Sequence, residues 1–361
     1  MFDAVVVGGG PGGSTVAWRL ARAGSRVLVL DAAHFPRVKL CAGWVTRAAL
    51  ADLELDPAMY PETIQAFDAV SLTVAGREHR TCFERTASYG IVRAEFDTFL
   101  LRRAAAAGAT VREGARVRRV LRVPDGVTVA TDEASFTAPL VVGAGGHQCP
   151  VARAFGDIDP EEGVVVTQES ETRVGAERLR ALTPRYGTPE LFPEPDFHGY
   201  GWYFTKGDFL NVGIGAMGDM PIGRRRDRML DAFRASGRLT PDLPLTPFRG
   251  HAYTVRRRRP RRVAGDRFLL VGDGAGLARD ISGEGIGPAI RSACLAAEAI
   301  LSGTPERYAE RLAATYGRPS ALLGVLTEML PAPVLHAMAR LACTRSWPRR
   351  ALVLEGAFGM G

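Results

Sequence analysis

Three glycines near the N-terminus, Gly8, Gly10 and Gly13, stand at the spacing Gly-x-Gly-x-x-Gly directly after the apolar run Ala4-Val5-Val6-Val7. That spacing permits a tight turn and lets the backbone approach a pyrophosphate, whose charge then meets the positive end of the following helix. Pro11, Gly12 and Ser14 complete the turn and join the candidate phosphate site. Asp31 closes the next apolar run, Val27-Leu28-Val29-Leu30. A carboxylate there accepts hydrogen bonds from a ribose 2′-hydroxyl and repels the 2′-phosphate of NADP. The glycine spacing alone is a weak signal; strand, helix and acidic strand end together predict a dinucleotide site.

Which dinucleotide is decided far along the chain, at Gly272-Asp273-Gly274-Ala275-Gly276. An aspartate after a buried strand can reach ribityl hydroxyls, and the helix that follows points its positive end at a flavin, where it stabilises the reduced anion. The two motifs together predict FAD. No His or Cys within them is placed for a covalent tether, so the flavin is expected to be bound non-covalently.

The elements that must hold these residues follow from apolar periodicity. Strand 4–7, a helix from about 12 to 23 and strand 26–31 make a βαβ unit. Strands are expected at 67–74, 80–83, 110–111, 117–123, 140–143 and 164–167. The pair 200–205 and 209–214 reads as a hairpin around Lys206-Gly207-Asp208. Helices are expected at 94–107 and 287–301, with a buried strand at 267–271. The tail from 306 reads as helical, broken at Pro331 and Pro333.

The chain has 361 residues, 46% hydrophobic, enough for two or three structural units. No uninterrupted apolar run of about 18 residues suggests a spanning helix, and the N-terminus shows no signal-peptide pattern. The five cysteines are scattered, which argues against a disulfide framework or a zinc site and points to a cytoplasmic location, peripheral to a membrane if not free. His147 and His198 lack metal-ligand partners, so no metal is expected, and no Gly-x-Ser-x-Gly motif supports hydrolysis. The formal charge of +7 is carried almost wholly by arginine; Lys39 and Lys206 are the two lysines. The run Arg256 to Arg262 reads either as a solvated turn or as a patch for an acidic electron donor or an anionic membrane. Without aromatic interleaving it does not read as a nucleic-acid site.

The segment Gly272 to Ile286 resembles the second FAD motif of the geranylgeranyl reductase family. Tyr200-Gly201-Trp202-Tyr203-Phe204-Thr205-Lys206 through Gly215 resembles that family's substrate-domain signature. Lys39-Leu40-Cys41-Ala42-Gly43 resembles its Lys-x-Cys-Gly-Gly loop beside the flavin, and Arg93-Ala94-Glu95-Phe96-Asp97 its Arg-x-x-Phe-Asp helix start. The resemblance runs from residue 1 to about 300. It implies an α/β chain with a glutathione-reductase-like, Rossmann-type FAD-binding domain (1–66, 89–158 and 250–305). It further implies an inserted antiparallel-sheet substrate domain (67–88 and 159–249) and a helical C-terminal tail (306–361). Ala42, Gly43, Arg93, Val117, Gly272, Asp273, Gly283, Gly285 and Ile286 join the expected FAD contacts. Tyr200, Trp202 and Phe204 are the candidate substrate contacts, though Trp202, Tyr203 and Phe204 read first as sheet core, since alternation turns only some of them to the flavin cavity. Cys41, otherwise a small apolar filler, and Asp280 are the candidate catalytic residues.

The implied activity is FAD-dependent reduction of carbon–carbon double bonds in an apolar, isoprenoid- or polyketide-like substrate. NAD(P)H or a small redox protein is the implied electron donor. The alternative is a flavin monooxygenase that hydroxylates a hydrophobic aromatic; a flavin-binding protein without turnover is a third class. Four positions depart from the family pattern: Ala42 for Gly, Thr205 and Asp280 for Pro, and Gly143-Ala144-Gly145-Gly146 where the hydroxylases have Gly-Ala-Asp-Gly. Asp280 reads either as a cap for its loop or as a proton donor. The tail reads either as a lid or membrane-contact element, with Leu322, Leu323, Val325, Leu326, Met329 and Leu330 ahead of Arg340, Arg345, Arg349 and Arg350, or as helix packed on the FAD-binding domain.

Overall fold

In the computed structural model, which describes residues 1–159, 164–218, 220–255, 261–317 and 330–360, the N-terminal βαβ unit forms as expected: Ala4–Val7, Pro11–Arg22 and Val27–Leu30. Both strands are buried along their whole length, which is why they read as unbroken apolar runs rather than alternating ones. They lie at the centre of a six-stranded sheet in the order Ala264–Gly265, Phe268–Leu270, Leu140–Gly143, Ala4–Val7, Val27–Leu30, Thr110–Arg112. All neighbours are parallel except the short edge strand Ala264–Gly265. Val7 is in register with Leu30 and Gly143, and Gly143 with Leu270, so the carboxyl ends of four strands align. Ligands of open α/β sheets bind outside that edge. The helices Pro11–Arg22, Arg93–Ala106 and Ile286–Leu301 pack together against this unit. A three-stranded antiparallel meander, Val117–Val123, Gly126–Thr131 and Ser135–Ala138, lies between the fourth and third of these parallel strands in sequence.

The second large sheet has seven strands in the order Arg249–Thr254, Val164–Arg173, Phe209–Ala216, Gly199–Lys206, Glu190–Pro193, Ala69–Val74, Arg77–Cys82. All its pairs are antiparallel except Glu190–Pro193 with Ala69–Val74. Three expectations change here. The stretch 67–74 is two strands: Ile64–Phe67 pairs with Ser88–Ile91 in a small separate sheet, and only Ala69–Val74 enters the large one. The strand expected at 164–167 runs on to Arg173; its charged residues masked the extension, but they alternate as a strand requires. Finally, Arg249–Thr254 forms the sheet's edge against Val164–Glu169, so residues 250–254 pair on this sheet rather than with the FAD-binding strands. The helix Ile222–Ala235 places Met229, Leu230 and Phe233 with Tyr203, Leu210, Val212 and Ile214, covering one face. The other face is left for the cavity.

The tail is helical over Tyr308–Tyr316, which packs on the parallel-sheet core through Tyr308 and Leu312, and over Ala332–Thr344, Ser346–Pro348 and Arg349–Ala357. Its last part packs on the seven-stranded sheet, where Cys343, Leu354, Ala357, Phe358 and Met360 share a core with Phe67, Val70, Leu72, Trp202 and Phe204. It is also tied to the second glycine motif, from which Arg279 donates to Gly356 O (2.8 Å) and Ser282 Oγ to Ala357 O (2.6 Å). Buried Arg349 fastens it by donating to Thr81 Oγ1 (2.8 Å). Leu322, Leu323, Val325, Leu326 and Met329 lie outside the described residues. Among those described, no helix is long and apolar enough to cross a membrane.

Candidate functional site

A cavity of about 720 Å³ opens where the carboxyl ends of the parallel strands meet the uncovered face of the seven-stranded sheet. One wall is backbone. Gly8 has φ +108°, and a Cβ on Gly13 would lie 1.8 Å from the Gly8 carbonyl oxygen, so the helix can approach the strand only without that side chain. Gly10 and Gly285 precede the helices Pro11–Arg22 and Ile286–Leu301 and have no capping side chain of their own. In the second helix Glu284 Oε1 accepts the Gly287 N–H (2.6 Å) and Pro288 has none, which leaves the Ile286 N–H of its first turn for a ligand, beside the Gly12 and Gly13 N–H groups of the first helix. Asp31 Oδ2 accepts from Gly9 N–H (2.6 Å) and Oδ1 from Ala33 N–H (2.8 Å), which fixes the carboxylate on the cavity wall. Behind the second motif, buried Arg261 donates to the carbonyls of Asp273 (3.1 Å) and Gly274 (2.9 Å). Arg261 is therefore a structural brace, while its neighbour Arg262 is exposed; residues 256–260 lie outside the described residues. Two helix starts at the cavity, a strand-end carboxylate and the cavity volume together fit FAD.

Between the walls runs the Lys39–Gly43 loop. Lys39, Cys41 and Ala42 line the cavity, and Gly43, at φ +70°, is pressed against Ile91. Arg93 is buried and donates to both oxygens of Asp97 (2.8 and 2.7 Å), which also pairs with Arg37 (3.0 Å). A cationic patch is thus held beside the loop.

The other wall is made of side chains from the sheet. Register places Tyr200 opposite Gly215, Trp202 opposite Gly213 and Phe204 opposite Asn211 on one face, with Thr167, Glu169 and Glu171 beside them. Gly213 leaves room for the Trp202 ring: a Cβ there would lie 2.3 Å from the indole. Glu169 is buried, and its Oε1 accepts the Cys41 N–H at 2.5 Å. Burial pushes its carboxyl up to about 7, against Lys206, the Cys41 N–H and Arg93, which act to lower it, while Glu171 adds to the rise. Lys39 Nζ and His251 Nε2 are hydrogen-bonded across the cavity. Burial, then Lys39, Arg93 and His147, push His251 down to about 4, so it is neutral at pH 7. Burial and Arg93 likewise lower Lys39. Lys206 is fully buried, donates to Ala42 O (3.0 Å) and is ion-paired with Glu171.

The structure brings Gly8, Gly10, Pro11, Gly12, Asp31, Cys41, Ala42, Arg93, Tyr200, Trp202, Gly272, Asp273, Asp280, Gly283, Gly285 and Ile286 to this one cavity. Gly13 and Ser14 are buried under the turn. Val117 and Phe204 do not line it: Val117 packs on the core of the parallel sheet, and Phe204 is buried edge-on to Trp44 and Phe67. Asp280 is exposed at the rim, and its side chain makes no hydrogen bond among the described residues, as a loop cap would. Thr205 faces away from the cavity, where its Oγ1 accepts Gly187 N–H (2.8 Å). Glu169, Thr167, His251, Tyr253 and Phe358 also line the cavity and were not anticipated. Period-two alternation through Val165, Thr167, Glu169 and Glu171 was the available signal for the first two.

Residues 1–324 match the FAD binding domain family. The chain belongs to that family. It is an FAD-dependent oxidoreductase resembling geranylgeranyl reductases. It is 28% identical over 348 residues to digeranylgeranylglycerophospholipid reductase 1 of Methanopyrus kandleri, covering 91% of each chain. It is also 28% identical over 345 residues to the menaquinone reductase of Mycolicibacterium smegmatis, covering 85% of this chain and 78% of that one. Its fold matches the crystal structure of a geranylgeranyl bacteriochlorophyll reductase-like protein from Thermoplasma acidophilum, with TM-score 0.77 and 21% identity over 97% of this chain and 98% of the other.

Proposed function

We propose that this flavoprotein reduces carbon–carbon double bonds in an apolar isoprenoid- or polyketide-like substrate. The carrying observation is that one cavity joins the dinucleotide cradle, through the Cys41 loop, to the aromatic face formed by Tyr200, Trp202 and Phe358. FAD, when bound, supplies hydride chemistry at that junction. Tyr200, Trp202 and Phe358 hold apolar chain and exclude water, and Cys41 and Ala42 set the distance between the substrate and the flavin site. The names of the relatives, prenyl-lipid and quinone reductases, support the same substrate class. In this reading the architecture is of the glutathione-reductase-like flavoprotein class. The seven-stranded sheet acts as a substrate domain inserted between the FAD-binding segments. Electrons arrive from NAD(P)H or a small acidic redox protein. The exposed tail residues Val334, Met338, Leu341 and Trp347, near Arg340 and Arg345, give a peripheral contact with a membrane holding the lipid substrate.

A second reading, hydroxylation of a hydrophobic aromatic, is favoured by the polar set Lys39, His251 and Thr167 on the cavity wall, which suits a phenol. One anaerobic experiment separates the two. Pre-reduced protein is mixed with polyprenyl substrates and flavin reoxidation is followed. Reoxidation with a saturated product is expected. A flavin that stays reduced across a panel of apolar alkenes, yet yields hydroxylated lipid-like phenol once oxygen is admitted, gives the second reading.

A further inference from the structure

We propose that Glu169 is the acid that protonates the substrate carbon when a double bond is reduced in this cavity, an assignment that rests on the reductase reading above. A reduction of this kind needs a proton source that is dry, close to the flavin site and free to release its proton. Glu169 is 4% exposed, lines the cavity and is tied to the loop residue Cys41 by a single hydrogen bond to Oε1. Among the described residues Oε2 takes no hydrogen bond. The competing groups are committed or are weaker acids: the Tyr253 hydroxyl on the wall makes no hydrogen bond among the described residues, but burial holds its pKa well above the ordinary tyrosine value. Glu284, the other buried carboxyl on the wall, accepts Gly287 N–H on Oε1 (2.6 Å) and Arg279 Nε–H on Oε2 (3.2 Å). The Tyr200 hydroxyl donates to Ser282 O, and His251 is engaged by Lys39. Cys41, which donates its N–H to Glu169, acts as a positioning residue.

The groups facing Glu169 are Cys41 and Lys39 on the loop, Arg93 on its helix, Lys206 and Glu171 along the sheet, and Arg249 and His251 on the edge strand. Burial outweighs the cations and leaves the carboxyl protonated up to about pH 7, the range in which a general acid works near neutrality. The step balances as follows. One alkene carbon takes a hydride, with its two electrons, from reduced FAD, whose N–H bond breaks and which is oxidised as the alkene is reduced. The other takes the Glu169 proton; the carbon–carbon π bond and the Glu169 O–H bond break, and a C–H bond forms at each carbon. The carboxylate is reprotonated from solvent, which reaches Glu171, two residues along the same face with 26% of its side chain exposed.

Two measurements test this. The first is the protonated-carboxyl infrared band of FAD-loaded protein without substrate, titrated with pH. Glu169 and Glu284 are both pushed up to about 7, so Glu169→Gln is expected to lose one carboxyl's share of the band titrating near pH 7 and Glu284→Gln the other. A band undiminished in Glu169→Gln, or abolished in Glu284→Gln, overturns the assignment. The second is alkene-dependent flavin reoxidation in Glu169→Gln, expected to slow by at least about 100-fold with FAD affinity unchanged. If wild type reduces alkenes and the variant keeps pace, Glu169 is not the acid and the reductase reading stands. If wild type reduces none, the reading falls and the assignment falls with it.

Discussion

The two walls of the cavity are built by opposite means. The cofactor wall uses backbone and the absence of side chains: Gly8, Gly10, Gly13, Gly272 and Gly285 let main chain and helix ends come close. The sheet wall uses ionisable side chains: buried Glu169 and half-buried His251, with buried Lys206 paired to half-buried Glu171 just behind and half-buried Lys39 on the facing loop. The first wall offers fixed dipoles whose charge does not change with pH. The second offers groups whose protonation is set by burial and neighbours. Binding a dinucleotide asks for the former and moving a proton for the latter, so each wall suits one half of an oxidoreductase's task.

The largest expected effect breaks the cofactor wall alone. Gly13→Val sets a branched side chain where even a Cβ would lie 1.8 Å from Gly8 O. The helix must withdraw from the strand, and the protein should purify without flavin absorbance. Gly9→Ala is the control: its Cβ would come no closer than 3.2 Å to Leu101, which can shift, so that variant should stay yellow. Loss of flavin in both, or in neither, would mean that the close approach is not what shapes the cradle.

The next effect reads the sheet wall through stability. In the fold, burial pushes the Glu169 carboxyl up to about 7 from an ordinary value of 4.5. A raised value means that the group's contribution is intact below the unfolded pKa and is lost as pH rises through the folded one. Wild type should therefore lose on the order of 3 kcal/mol from this group between about pH 4.5 and 8. Glu169→Gln removes that loss, so its stability relative to wild type should be greater at pH 8 than at pH 5 in denaturant melts. Glu284, also pushed up to about 7, is present in both proteins and cancels in the comparison. A pH-independent difference between the two proteins would show that Glu169 titrates normally.

The same contrast explains what could be read before the fold was known. The cofactor wall was legible because its chemistry is local. Gly8 to Ser14 and Gly272 to Ile286 are contiguous, and each motif carries its own turn and helix start. Tyr200 and Trp202 were legible through strand alternation. Phe204 shares their face, but Trp44 and Phe67 arrive from other segments and cover it. For Glu169 alternation could give the face but not the burial. Its burial depends on Cys41, Arg93 and Lys206, which lie far away in sequence, and a Gln-Glu-Ser-Glu stretch reads as solvated until those partners converge. Phe358 reaches the cavity only because Arg349 and Leu354 anchor the tail on the sheet. The brace formed by Arg261 looked like one charge in a basic run, since nothing local shows that the carbonyls of Asp273 and Gly274 point at it.

The smallest effect sharpens the comparison at the point where the cofactor wall does use a side chain. Asp31 is its one strand-end carboxylate, and both oxygens already accept backbone N–H groups, from Gly9 and Ala33. Each oxygen keeps a further lone pair, so a ribose hydroxyl can still donate to it. Asp31→Ala therefore removes one hydrogen bond to a charged acceptor, worth roughly 1.5–3 kcal/mol, or about one to two decades in FAD affinity. It also releases the Gly9 and Ala33 N–H groups, so the glycine turn should loosen without the chain unfolding. Asp31→Asn separates these contributions: its amide oxygen can replace only one of the two backbone acceptors, and it lacks the charge. Titration of the apo-protein should rank FAD affinity as wild type, then Asn, then Ala. Equal affinity in all three would place the ribose contact elsewhere and make the cofactor wall a purely backbone device.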